Sequence, residues 1–143
     1  MRCKIQGMAM RLFRRDRPPE VWDQPIEWPV GDIEAAHRIR DICRAAAGSA
    51  EKVAGFAGDP DTRKKHDSRK KKAETDRYQR AARAAMEIAM KITDDLLRDS
   101  AVRQIIGLCL KANDDRTART LFRAIQAASI REDVLQEHPA LRQ

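Results

Sequence analysis

Seven cations crowd into ten positions of this chain: Arg63, Lys64, Lys65, Arg69, Lys70, Lys71 and Lys72. Cations at this density neutralise several phosphates of a polyanion and release its condensed counterions, a contact that carries affinity but not sequence choice. No aromatic residue interrupts the block, so base stacking has no platform there and weak sequence preference is expected. The same composition also describes a solvated linker whose charge only aids solubility. A second candidate is the pair Trp22 and Trp28, held in the proline-rich stretch between Pro18 and Pro29. Large rings on a stiffened chain lose little entropy on docking, which fits a partner-binding peptide. The alternative is that both rings fold back as lids over a core poor in aromatics.

Catalytic and metal chemistry find no such concentration. The carboxylate pairs Asp94-Asp95, Asp114-Asp115 and Glu132-Asp133 are adjacent in sequence, so on a helix they diverge and read as caps or solvated surface rather than as an acid and base. Gly48, Gly55 and Gly58 are not followed by the lysine and hydroxyl residue of a phosphate loop. Cys3, Cys43 and Cys109 are isolated, and His37, His66 and His138 have no second ligand at metal-binding spacing. No catalytic residue, metal or cofactor is therefore expected, and the chain reads as a binding protein rather than an enzyme.

The elements that must carry these residues follow from composition and spacing. Hydrophobic residues make up 42% of the 143 positions and aromatics only 4%, so helices must approach through small side chains, and an all-α bundle of about four to five helices is expected. The net charge of +7 is unevenly placed, with +5 over residues 1–17, −5 over 18–62, +6 over 63–72 and +1 over 73–143. Residues 1–31 carry four of the six prolines and predict an extended arm. A single helical domain over 32–138 follows, with 59–76 a basic helical extension or linker. Within the arm, Met8, Met10, Leu12 and Phe13 alternate with arginines as a short basic turn, too brief for strong membrane contact. With no apolar run of membrane-spanning length, a cytoplasmic protein is expected.

Asp32 after Gly31 predicts the start of a first helix over 33–56, with Ile39, Ile42, Cys43, Ala46 and Ala50 on one face. One long helix is predicted over 61–97, because no glycine or proline interrupts it. Its first half spreads the basic block around the whole circumference and leaves no face to bury. Its second half carries the stripe Tyr78, Ala81, Ala85, Ile88, Ile92 and Leu96. Ala81, Ala85 and Ala89 allow close helix approach, within one chain or across a homodimer. Asp99 and Ser100 predict a cap, and Val102, Ile105, Ile106, Cys109 and Leu110 a helix ending near Asn113. Asn113-Asp114-Asp115 then turns the chain into an antiparallel partner bearing Ala118, Leu121, Phe122 and Ile125. A last turn at 133–136 stops before Pro139.

In Val102, Ile105 and Cys109 on the first helix and Ala118, Phe122 and Ile125 on the second, this C-terminal helical hairpin resembles a single tetratricopeptide-type repeat. Ile125 stands where that pattern has a small residue and no second repeat follows, so the resemblance implies helix-hairpin packing and no concave groove. Arg116, Arg119 and Arg123 share one side of the second helix, which also keeps a DNA-reading helix-turn-helix in view. Two partner classes follow from the whole sequence. One is nucleic acid, or an acidic protein surface, met by the 63–72 block. The other is a protein met by the Trp22/Trp28 arm and the Ala-rich faces.

Overall fold

Small side chains decide how this chain packs. The computed structural model describes residues 18–57 and 65–142. Their regular structure is helical: α1 (Asp32–Ala57), α2 (Lys65–Ala89), α3 (Asp95–Lys111), α4 (Asp115–Ala124) and α5 (Ala128–Glu137), with 3₁₀ turns at Val21–Asp23 and Pro139–Arg142. Helix α1 packs on both α2 and α3, and α3 carries α4 and α5. The Lys52–Glu74 contact at 3.5 Å joins the end of α1 to the start of α2, so these two helices run antiparallel. Ala46 and Ala50 of α1 and Ala81 and Ala85 of α2 have no exposed surface, with Ile39, Ile42, Ile105 and Ile106 filling the space between helices. The Ala-rich face offered by the sequence to a homodimer is thus covered by the chain's own helices. Among the described residues no helix is long and apolar enough to cross a membrane.

The predicted long helix is two helices. Helix α2 ends at Ala89, Ile92 is buried as an anchor, and α3 begins after Asp94, whose carboxylate accepts from the Leu97 amide at 2.8 Å. No glycine or proline makes this break. It is held from outside by Asp32, whose carboxylate accepts from the Thr93 amide (3.1 Å), the Thr93 hydroxyl (2.6 Å) and the Asp94 amide (2.8 Å). Asp32 is therefore not the N-cap of its own helix; the Gly31 carbonyl accepts from Ala35 there, at 2.9 Å. Because the chain turns at 90–94, Leu96 leaves the predicted apolar stripe and is 59% exposed.

Asp99 departs from its expected role in the same way. It lies inside α3, is 1% exposed, and accepts from the Gln126 and Ala127 amides at 3.0 and 2.8 Å. Ala127 is the N-cap position of α5 and makes no side-chain cap; Asp99 instead holds the amides of the N-cap residue and the one before it, which fixes where α5 starts. Helix α5 is also longer than the single turn that the sequence predicted.

The hairpin turn forms where expected. The Asp114 amide donates to the Cys109 carbonyl at 2.9 Å and the Asn113 amide to Leu110 at 3.1 Å, a Schellman closure with Asn113 at φ 58°. Asparagine tolerates that left-handed conformation better than other side chains. Asp114 then caps α4 by accepting from Thr117 at 3.2 Å, and its other oxygen accepts the Tyr78 hydroxyl at 2.8 Å. One acidic residue thereby fixes the α3–α4 turn to the middle of α2.

Removal of the Asp32 carboxylate has a pH signature. Its hydrogen bonds to the Thr93 side chain and to the Thr93 and Asp94 amides hold its pKa below the usual 3.8. A depressed folded-state pKa stabilises the native chain above the unfolded value, and that stabilisation fades as pH falls through the lower, folded value. Thermal unfolding of the parent and an Asp32→Ala variant is therefore expected to differ by a constant amount at neutral pH and to converge below pH 3.8. A difference that persists unchanged in acid would show that Asp32 acts by packing rather than as a carboxylate.

Candidate nucleic-acid interface

Helix α2 has two unlike halves. From Ser68 to Ala73 every side chain is exposed, and the first buried position is Tyr78. Six consecutive exposed positions cover more than a full turn, so this part of the helix has no face against the body. Arg69, Lys70, Lys71 and Lys72 sit on it at successive 100° steps and pair with no acid among the described residues. Lys65 opens the helix, while Arg63 and Lys64 lie outside the described residues. So do the basic turn over residues 8–17 and Cys3.

Several cations of the body are used differently. Arg38 donates to the Val21 and Gln24 carbonyls at 3.3 and 3.0 Å and to the Gln24 side chain at 3.1 Å. Arg77 pairs with Glu20 at 2.9 Å, and Arg80 pairs with Asp23. Arg103 meets Asp133 and Glu137, and Arg142 meets Glu132. Arg131 donates to the Phe122 and Ile125 carbonyls and lies 4.4 Å over the Phe122 ring. These contacts fasten the acidic arm and the C-terminal turns to the bundle. The cations left without an acid among the described residues include 69–72, Arg40, Arg44 and Lys111, and the exposed row Arg116, Arg119 and Arg123 on α4.

The arm, extended apart from one 3₁₀ turn, places its two tryptophans in different surroundings. Trp22 is 7% exposed, belongs to the core, and has Arg77 5.7 Å from its ring. Trp28 is 37% exposed, with Lys91 4.4 Å over its ring. The other large exposed apolar side chains of the described residues, Ile33, Met90 and Leu96, lie toward the same end of the bundle, where Lys91 covers Trp28 and Asp32 holds the Thr93 and Asp94 amides. The basic half of α2 and this apolar group therefore stand at opposite ends of the molecule.

The two cysteine thiols and the Tyr78 hydroxyl inside the bundle are held neutral. Burial, followed by the neighbouring Cys109, pushes the Cys43 thiol up to about 12. Burial likewise pushes Cys109 up to about 11 and raises the Tyr78 hydroxyl, which already donates to Asp114. Neither thiol supplies a thiolate at neutral pH. His37 lines an open cavity of about 500 Å³ beneath the arm, beside Glu34 and Asp41. Among the described residues no group of three or more histidine, cysteine and carboxylate side chains is placed to hold a metal.

The sequence singled out the basic block and the tryptophans but did not associate Arg40 and Arg44 with Lys111. The available signal was the four-residue spacing of two arginines on an otherwise apolar-striped helix. No family model, no curated protein and no solved structure matches this chain.

Proposed function

We propose that this chain is a non-enzymatic binding protein that holds nucleic acid by its phosphate backbone, with Arg69, Lys70, Lys71 and Lys72 as the principal contact. The observation that carries this reading is the exposure of four consecutive cations without an acid partner among the described residues, on a helix turn that has no buried face, whereas Arg38, Arg77, Arg80 and Arg103 of the body are tied to the chain's own acids and carbonyls. Like charges at this spacing weaken a free helix by a few tenths of a kcal/mol per pair, and a polyanion relieves that repulsion. Phosphate is common to DNA and RNA, and the contact reads neither base nor sugar.

The test is fluorescence anisotropy of labelled mixed-sequence oligonucleotides, single-stranded and duplex, titrated with full-length protein across a salt series. Affinity is expected to fall steeply between about 50 and about 200 mM salt, with little preference among sequences. Binding that ignores salt, or an absence of binding at low salt, would remove the proposal.

A second reading, docking of a protein partner, is favoured by one observation. Trp28, Ile33, Met90 and Leu96 are exposed toward one end of the bundle, at 37%, 65%, 73% and 59%. Trp22 and the Ala-rich faces are already occupied in the monomer, which moves this surface from the whole arm to Trp28 and the 90–94 turn. Under this reading tryptophan emission shifts on partner addition while salt has little effect.

A further inference from the structure

Helices α1 and α3 run side by side, since Asp32 at the start of α1 holds the amides at the start of α3. Further along, their outer faces leave a groove of about 330 Å³ lined by Arg40, Cys43 and Arg44 from α1 and Gln104, Gly107 and Lys111 from α3. The three cations are exposed, and none has an acid partner among the described residues. The floor is small and uncharged: Cys43 is half-buried, and Gly107 has no side chain to fill the space. A shallow floor between cationic rims admits a chain with acceptor oxygens along its edge, and the planar guanidinium groups match phosphate geometry.

We infer that this groove is a second phosphate-contacting surface, and that a nucleic-acid strand bound by 69–72 continues past Lys111 to Arg44 and Arg40. The inference rests on the reading of 69–72 given above. Two contacts set the order of the surfaces along the helix axes. Tyr78 of α2 bonds Asp114, three residues beyond Lys111, so the end of α3 lies level with the first buried turn of α2. The basic turn of α2 therefore begins roughly 9 Å further along the same axis, at 1.5 Å per residue. Lys52 meets Glu74, so the row from Arg40 to the level of Lys72 extends roughly 20 Å. That length accommodates about six phosphates of one duplex strand at 3.4 Å spacing. Since 69–72 cover most of the helix circumference, some of them face the groove side whatever the rotation of α2.

The groove can be closed without disturbing the fold. A Cβ at Gly107 meets nothing within 4 Å, and glutamate or glutamine there improves helix propensity over glycine. Gly107→Glu places a carboxylate among the three cations, and Gly107→Gln is its uncharged counterpart. These and the triple variant Arg40→Gln/Arg44→Gln/Lys111→Gln are compared with the parent chain by oligonucleotide anisotropy across a salt series, with circular dichroism to verify the helices. The triple variant is expected to bind about thirtyfold more weakly near 0.15 M salt and to reduce the slope of log K against log salt by about 2. Gly107→Glu is expected to weaken binding more than Gly107→Gln.

If neutralising 69–72 weakens binding while the groove variants bind as the parent does, the groove inference is overturned and the reading of 69–72 stands. If the groove variants lose affinity and the 69–72 variant does not, the groove binds phosphate on its own and the continuous track is overturned. Groove-dependent capture of poly-L-glutamate as tight as that of the oligonucleotide would make the occupant an acidic protein and overturn the phosphate assignment.

Discussion

A variant with Arg69, Lys70, Lys71 and Lys72 replaced by glutamine is expected to bind mixed-sequence oligonucleotides about a hundredfold more weakly near 0.15 M salt, and to unfold at the parental temperature. A strand on one side of the helix meets about three of the four cations, and each neutralised phosphate contributes about 0.9 to the salt slope. Losing three contacts lowers the slope by about 2.7, and near 0.15 M salt that corresponds to roughly two decades of affinity. Stability is expected to hold because none of the four side chains is buried and none pairs with an acid among the described residues. Glutamine also keeps a good helix propensity, so the rod itself persists. Anisotropy gives the affinity and circular dichroism the melting temperature. An unchanged affinity would make the block a solvated extension and shift the weight of evidence to the apolar group around Trp28.

Asp99→Ala is expected to lower the unfolding free energy by about 3 kcal/mol, a large fraction of the stability of a domain this size. The variant removes one oxygen that accepts from two amides, Gln126 at 3.0 Å and Ala127 at 2.8 Å, at a site only 1% exposed. A buried donor without a partner costs about 1–3 kcal/mol, and here two donors lose the same acceptor. Asp99→Asn keeps an amide oxygen in nearly the same place and is expected to cost only about 1 kcal/mol, the loss of the charge-assisted component. Urea unfolding read by helix signal separates the three chains. Equal midpoints for parent and alanine variant would mean that water replaces the carboxylate and that α5 does not depend on it. Since α5 rests on α3 through this contact, the Arg103 pairs with Asp133 and Glu137 and a small shared surface, its amides are also expected to exchange with solvent fastest in Asp99→Ala.

The sequence and the structure agree wherever a signal acts within a few residues. Helical class followed from three- and four-residue spacing of small apolar side chains; α1 and the turn between α3 and α4 appear where expected, while α3 starts at Asp95, before the expected Asp99-Ser100 cap. The Asn113-Asp114 turn was legible because its closure uses only neighbouring backbone and an adjacent cap. The solvated half of α2 was legible too: charge around a full circumference has no buried solution.

Disagreement begins where a side chain serves a distant element. Asp32 and Asp99 were recognisable as cap formers, but a carboxylate can accept from any amide that packing brings near. In the fold Asp32 serves Thr93 and Asp94, and Asp99 serves Gln126 and Ala127. The break between α2 and α3 needed no glycine or proline because an acid from α1 supplied the acceptor that ends one helix and starts the next.

Composition and periodicity by themselves determined that this protein is a helical bundle with a basic, unburied helix end. Tertiary structure alone decided which amides each acid caps, which tryptophan faces solvent, and that Arg40, Arg44 and Lys111 share one groove. The physical reason is range: propensity and spacing operate over one or two helical turns, whereas cross-helix caps and grooves exist only after burial of the alanine and isoleucine faces has set the helices side by side.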